Sequence, residues 1–189
     1  LPTAATLACK NKKTFDEINS LFNNNNYRLY YSDDLIGCQI GGALKNVYAI
    51  AVGITLGLNL GDNAKSALIT RSFNEISRFA NSLGAQTKTL FGLSGIGDLI
   101  LTCNSLKSRN TTFGQLIASQ QKIPISEHLK SNNTVEGYYT VQAVISLAKK
   151  HKISMPIAEA VFRILFKKSL INDEIENLLN RPVVNEFDD

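Results

Sequence analysis

"GGALKNVYAIAVG", residues 41–53, is almost wholly apolar or tiny, yet Lys45 stands in the middle of it. Leu44 precedes the lysine, an apolar run at 47–52 follows it, and no acidic residue occurs between positions 38 and 60. Residues 41–58 read as a helix that is apolar all round, which implies a helix buried among other helices. Two readings of Lys45 stand level on the helix pattern. In one, its stem lies along apolar surface while the ammonium reaches water. In the other, the lysine is held in a cleft, where desolvation suits it to proton transfer.

Working outward, every signal from residue 34 onward is helical. An amphipathic helix is expected at 63–83, with Ala67, Leu68, Phe73, Ile76, Phe79, Ala80 and Leu83 apolar and Gly84 as its stop. Further helices are expected at 95–103, 112–119, 141–151, 157–166 and 173–180, the last with Asn172 as N-cap and Pro182 beyond its end. Upstream the pattern changes. "LPTAATLA" reads as a strand, "KTFDEINSLFN" as a short helix with Phe15, Ile18, Leu21 and Phe22 on one side, and "NNNNYRLYYS" as a turn and second strand. A strand–helix–strand unit alone leaves its faces uncovered, so residues 1–33 are expected to be the tail of a larger α/β layer. The expected fold is therefore mainly α, a multi-helix body at 34–189 behind a short strand–helix–strand remnant.

Composition narrows the classes. The 189 residues suffice for one good-sized domain, 44% of them are hydrophobic, and the net charge is only +4. Lys149, Lys150, His151 and Lys152 form the densest basic stretch, but it closes a helical pattern where cations favour the dipole, and no aromatics interleave with it. Nucleic acid is not an expected partner. Three distant cysteines and two distant histidines give no metal-ligand spacing. Sequons stand at Asn110 and at Asn132, without a signal peptide to send them to an oxidising compartment. The apolar run at 47–58 is too short to span a bilayer. A soluble, cytoplasmic chain is expected.

The second chemical cluster is "GIGDLILTCNSLKSRN", residues 95–110. Its Gly95-Ile96-Gly97 lacks a preceding strand and a third glycine, so it is not a dinucleotide loop. Asp98 and Thr102 are four apart and share a helix face. Asp98 is either a helix cap or a carboxylate facing a cleft, able to pair with Lys45. Ser108, Arg109 and Asn110 precede a helix whose N-terminus offers free N–H groups to an anion, and Arg109 adds a fork suited to phosphate.

"GGALKNVYAIAVGITLGLNLGDNAKSALITR", "GLSGIGDLILTCNSLKSRN" and "TVEGYYTV", in that order, resemble the C-terminal substrate domain of the bacterial-type NAD(P)-dependent glycerol-3-phosphate dehydrogenases. The resemblance runs over about residues 1–180. It implies a helical domain like the C-terminal part of 6-phosphogluconate dehydrogenase, behind the end of a Rossmann domain. It implies interconversion of sn-glycerol 3-phosphate and dihydroxyacetone phosphate with NAD or NADP, for glycerophospholipid synthesis. Carried over by position, Lys45 is the catalytic acid/base at the C2 oxygen, and Asp98 binds substrate and orients it, with Thr102 nearby. Ser108, Arg109 and Asn110 hold the phosphorylated substrate. Arg109 and Glu136 approach the cofactor. Thr134 stands where the family often has valine and is not carried over. Members of the family often dimerise, so a homodimer is compatible with the resemblance.

The family's Gly-rich phosphate loop would lie before Leu1, so the chain is expected to be a fragment with little or no dehydrogenase activity alone. Two other readings stay open. One is the substrate domain of a related dehydrogenase for another hydroxy acid or sugar phosphate. The other is a helical interaction module, which would leave Lys45, Asp98 and Arg109 on separate surfaces.

Overall fold

The computed structural model describes residues 2–22, 24–131, 134–183 and 185–186. Leu1 of the expected first strand, Asn23 of the asparagine run, and Asn132 and Asn133 of the second sequon lie outside the described residues. The chain opens with β1 (Thr3–Ala8), α1 (Lys12–Phe22) and β2 (Tyr27–Ser32). The strands pair in parallel, from Thr3 opposite Tyr27 to Ala8 opposite Ser32. Helix α1 is the crossover that a parallel pair needs. Of the four α1 residues expected to share an apolar side, Phe15 is buried and stands edge-on to Tyr31 at 5.3 Å. Leu21 and Phe22 are 82% and 54% exposed, because two strands cover only part of a helix face.

Helices form the rest: α2 (Leu35–Gly57), α3 (Gly61–Ser82), α4 (Thr87–Leu90), a π turn (Leu93–Gly97), α5 (Asp98–Asn104), α6 (Arg109–Ser119), α7 (Ile125–Ser131), α8 (Glu136–His151), α9 (Pro156–Lys167) and α10 (Ile171–Leu179). Several sequence expectations are corrected. The helix expected at 95–103 divides into the π turn and α5, while α6 and α8 begin at Arg109 and Glu136, ahead of their apolar runs. The short α4 and α7 were not foreseen. Asn172 is not the cap of α10, which starts at Ile171 after Leu170. There the side chains of Arg163 and Ser169 hold the buried Glu174 carboxylate at 2.6–3.0 Å, so the helix start is organised from α9. The basic stretch closing α8 is exposed, with Lys152 at φ 56° ending the helix.

Helix α2 also starts earlier than its apolar run. Asp34 caps it, accepting the Gly37 N–H at 2.8 Å, and its other oxygen accepts the Gln86 N–H at 2.8 Å. Burial pulls the Asp34 carboxyl up, but these donors hold it below its ordinary value. At 23 residues, α2 is long and apolar enough by length and composition to cross a membrane, which corrects the estimate from the 47–58 run. Its environment explains it differently. Helices α3, α5, α6, α8 and α9 pack around it, and Val47, Tyr48, Ala49, Ile50 and Val52 have no solvent exposure. Burying each large apolar side chain is worth roughly 1.5–3 kcal/mol.

Two contacts place α6 and α9 against α2. At the α6 crossing, a Cβ on Gly53 would lie 2.1 Å from the Thr111 carbonyl oxygen, and one on Gly114 2.1 Å from that of Ile50. Backbone rests on backbone there, which brings the first turn of α6 beside the middle of α2. Helix α9 begins at Pro156 without a side-chain cap of its own. Glu75 of α3 substitutes, accepting the N–H groups of Ile157 at 2.7 Å and Ala158 at 3.2 Å and the Tyr48 hydroxyl at 3.0 Å. Burial pushes the Glu75 carboxyl up to about 7 although these neighbours donate to it.

Candidate functional site

Lys45 leaves the middle of α2 and ends 2.5 Å from Asp98 Oδ2. The two side chains keep 23% and 28% exposure, so the ammonium is neither free in water nor sealed in the core. Asp98 is the first residue of α5 and does not cap it; Gly97 precedes the helix there. The Asp98 N–H reaches back into the π turn, to the carbonyls of Gly95 and Leu93. One turn further, Thr102 Oγ1 lies 3.5 Å from Asp98 Oδ1, the limit of a useful hydrogen bond.

Ser108 is the N-cap of α6, its Oγ accepting the Thr111 N–H at 3.2 Å. Half-exposed Arg109 approaches half-exposed Glu136 at 3.6 Å, so a guanidinium and a carboxylate sit together where α6 and α8 begin. Asn110 is buried: its Nδ2 donates to Asn46 Oδ1 at 3.0 Å, and its Oδ1 accepts the Gly137 N–H at 2.9 Å. Its amide ties α6 to α2 and α8, and the second Nδ2 hydrogen is what it has to offer a ligand.

Sequence reasoning missed Asn46. It donates to Glu136 Oε2 at 2.9 Å while accepting from Asn110, and so connects three helices from the position next to Lys45. The available signal was a second polar residue in an otherwise apolar run. Thr111 was also missed; its hydroxyl donates to the Thr102 carbonyl at 2.9 Å and ties α6 to α5. Through these links Lys45, Asp98, Thr102, Ser108, Arg109, Asn110 and Glu136 form one connected group rather than lying on separate surfaces.

The group joins an ammonium held by a carboxylate to a guanidinium at a helix N-terminus, groups of the kind that proton transfer and anion binding use. Among the described residues no cluster of three or more His, Cys, Asp or Glu side chains could hold a metal. A separate cavity of about 450 Å³ lies between α2, α3, α9 and α10. Its charged lining includes Glu75 held by the α9 N–H groups, Glu174 by Arg163, and Arg71 bonded to the Glu186 carbonyl.

Residues 34–176 match the family described as NAD-dependent glycerol-3-phosphate dehydrogenase C-terminus. The chain is 47% identical over 187 residues to glycerol-3-phosphate dehydrogenase [NAD(P)+] of Parvibaculum lavamentivorans, covering 98% of this chain and 56% of that protein. To the enzyme of the same name from Bacillus pumilus it is 44% identical, over 100% of this chain and 54% of that protein. The chain thus spans about half the length of these relatives. The crystal structure of glycerol-3-phosphate dehydrogenase from Coxiella burnetii superposes with a TM-score of 0.91 at 38% identity, over 96% of this chain and 55% of that one.

Proposed function

The chain belongs to the family of NAD-dependent glycerol-3-phosphate dehydrogenases, matching their C-terminal part, and on that premise we propose that it forms the substrate side of an oxidoreductase interconverting sn-glycerol 3-phosphate and dihydroxyacetone phosphate. The pair of Lys45 and Asp98 at 2.5 Å, joined through Asn46 and Asn110 to the Arg109 end of α6, carries the proposal. Lys45 gives a proton to the C2 carbonyl oxygen when the ketone is reduced and takes one from the C2 hydroxyl in reverse. Asp98 keeps the ammonium aimed at that oxygen, with Thr102 beside it. Ser108, Arg109 and Asn110 bind the substrate, Arg109 offering its fork to the phosphate at the positive end of α6.

When bound, NAD or NADP would supply or accept the hydride at C2. Arg109 and Glu136, half exposed where α6 and α8 begin, are the residues of this chain that would touch it; a cation there suits a dinucleotide's phosphates and a carboxylate its hydroxyls. Residues 1–33 are then the end of the dinucleotide-binding domain and 34–189 the substrate domain. The setting is cytoplasmic, in glycerophospholipid synthesis, with a phosphorylated small molecule as partner.

The deciding experiment uses a protein that joins this chain to a dinucleotide-binding domain. Lys45→Ala is expected to lower kcat by about 100-fold or more, the scale of positioned acid–base catalysis, with the thermal transition retained. Near-normal kcat in that variant would remove Lys45 from the chemistry.

A further inference from the structure

We propose that Gly41 is a positioning residue for the Lys45–Asp98 pair: its missing side chain lets the π turn sit directly on the backbone of α2, and that seat decides where Asp98 meets Lys45. The proposal rests on the pair being the proton-transfer unit. Gly41 lies four residues before Lys45, so the two share a face of α2. A Cβ on Gly41 would lie 2.1 Å from the Ser94 carbonyl oxygen, 3.1 Å from its carbon and 3.3 Å from Gly95 Cα. All three are backbone atoms, and none can rotate aside as a side chain would.

A push at that point passes to the carboxylate. The Gly97 N–H bonds to the Gly92 carbonyl at 3.2 Å, and the Asp98 N–H bonds to that of Leu93. Both bonds reach five residues back and tie the Asp98 backbone to the turn. The turn is also confined at the end of α4, where a Cβ on Gly95 would lie 2.0 Å from the Leu90 carbonyl oxygen. Displacement is therefore directed along the chain toward Asp98 rather than absorbed behind it. A π turn placed immediately before a charged site residue fits the tendency of such turns to occur at functional sites. The neighbouring Gly42 supplies the contrast. A Cβ there meets nothing within 4 Å, although it stands in the same helix.

The test compares Gly41→Ala with Gly42→Ala; both gain helix propensity and only one meets the turn. In the chain labelled with 15N-lysine, the Lys45 ammonium resonance reports the pair through its slowed hydrogen exchange, with Asp98→Asn as the reference for a broken pair. Gly41→Ala is expected to reproduce the Asp98→Asn signature with unchanged far-ultraviolet circular dichroism, and Gly42→Ala to reproduce the wild type. Joined to a dinucleotide-binding domain, Gly41→Ala is expected to lose about 100-fold in kcat, as ångström-scale misplacement does, and Gly42→Ala to stay within about twofold. A Gly41→Ala chain that keeps the wild-type ammonium resonance overturns the proposal. So does one that fails to fold, since the glycine would then serve the fold and not the pair. If Lys45→Ala left turnover intact, the catalytic reading would fall while the resonance still judged the seat.

Discussion

Lys45 has company that its own helix does not supply. Its neighbour Asn46 bonds to Asn110, 64 residues away, and to Glu136, 90 residues away. Asn46→Ala leaves the buried Asn110 amide and one Glu136 oxygen without those bonds. The expected cost is about 1–3 kcal/mol of stability, the range for polar groups losing a buried partner. Denaturant unfolding measures it, and an unchanged midpoint would show that the bridge contributes nothing. Lys45, Asp98 and Arg109 were legible because each is a charge or a fork where its surroundings are apolar or where a helix starts. Asn46 was not, because a lone amide acquires meaning only from partners that local spacing does not reveal.

At the scale of elements, the starts of several helices are organised from elsewhere in the chain. Glu75 of α3 caps α9, and Arg163 of α9 secures Glu174 in α10. The Glu75 cap has a pH signature. Burial raises its carboxyl from 4.5 to about 7 in the folded chain, so the folded state retains a proton that the unfolded state releases across that interval. Its contribution is fully present below about pH 4.5 and is lost as pH rises through about 7. Glu75→Gln removes this titration. Stability measured from pH 4.5 to 7.5 is expected to fall less steeply in the variant than in the wild type. Parallel profiles would show that Glu75 does not titrate there. Apolar periodicity found the bodies of α3, α8 and α9, but the cap of α2 at Asp34 and the π turn before Asp98 escaped it. Both are governed by hydrogen bonds outside the apolar stripe.

For the whole molecule, α2 is the axis and the two-stranded unit a flank. Helices α3, α5, α6, α8 and α9 cover α2, whereas Phe15 is the buried side chain of α1. Native-state hydrogen exchange should therefore be slowest at residues 47–54, opening only with global unfolding, and faster in β1, α1 and β2. Equal protection of the two regions would contradict this hierarchy. By itself the sequence determined the buried central helix, the helical body behind a strand–helix–strand start, and the odd charges worth watching, because periodicity and composition act within one or two turns. Only the tertiary structure decided which charges meet. That depends on glycine-backed crossings at Gly53, Gly114 and Gly41, and on side chains that cap helices far along the chain. The lysine in the apolar run was a local fact; its carboxylate partner is a consequence of how closely two backbones can approach.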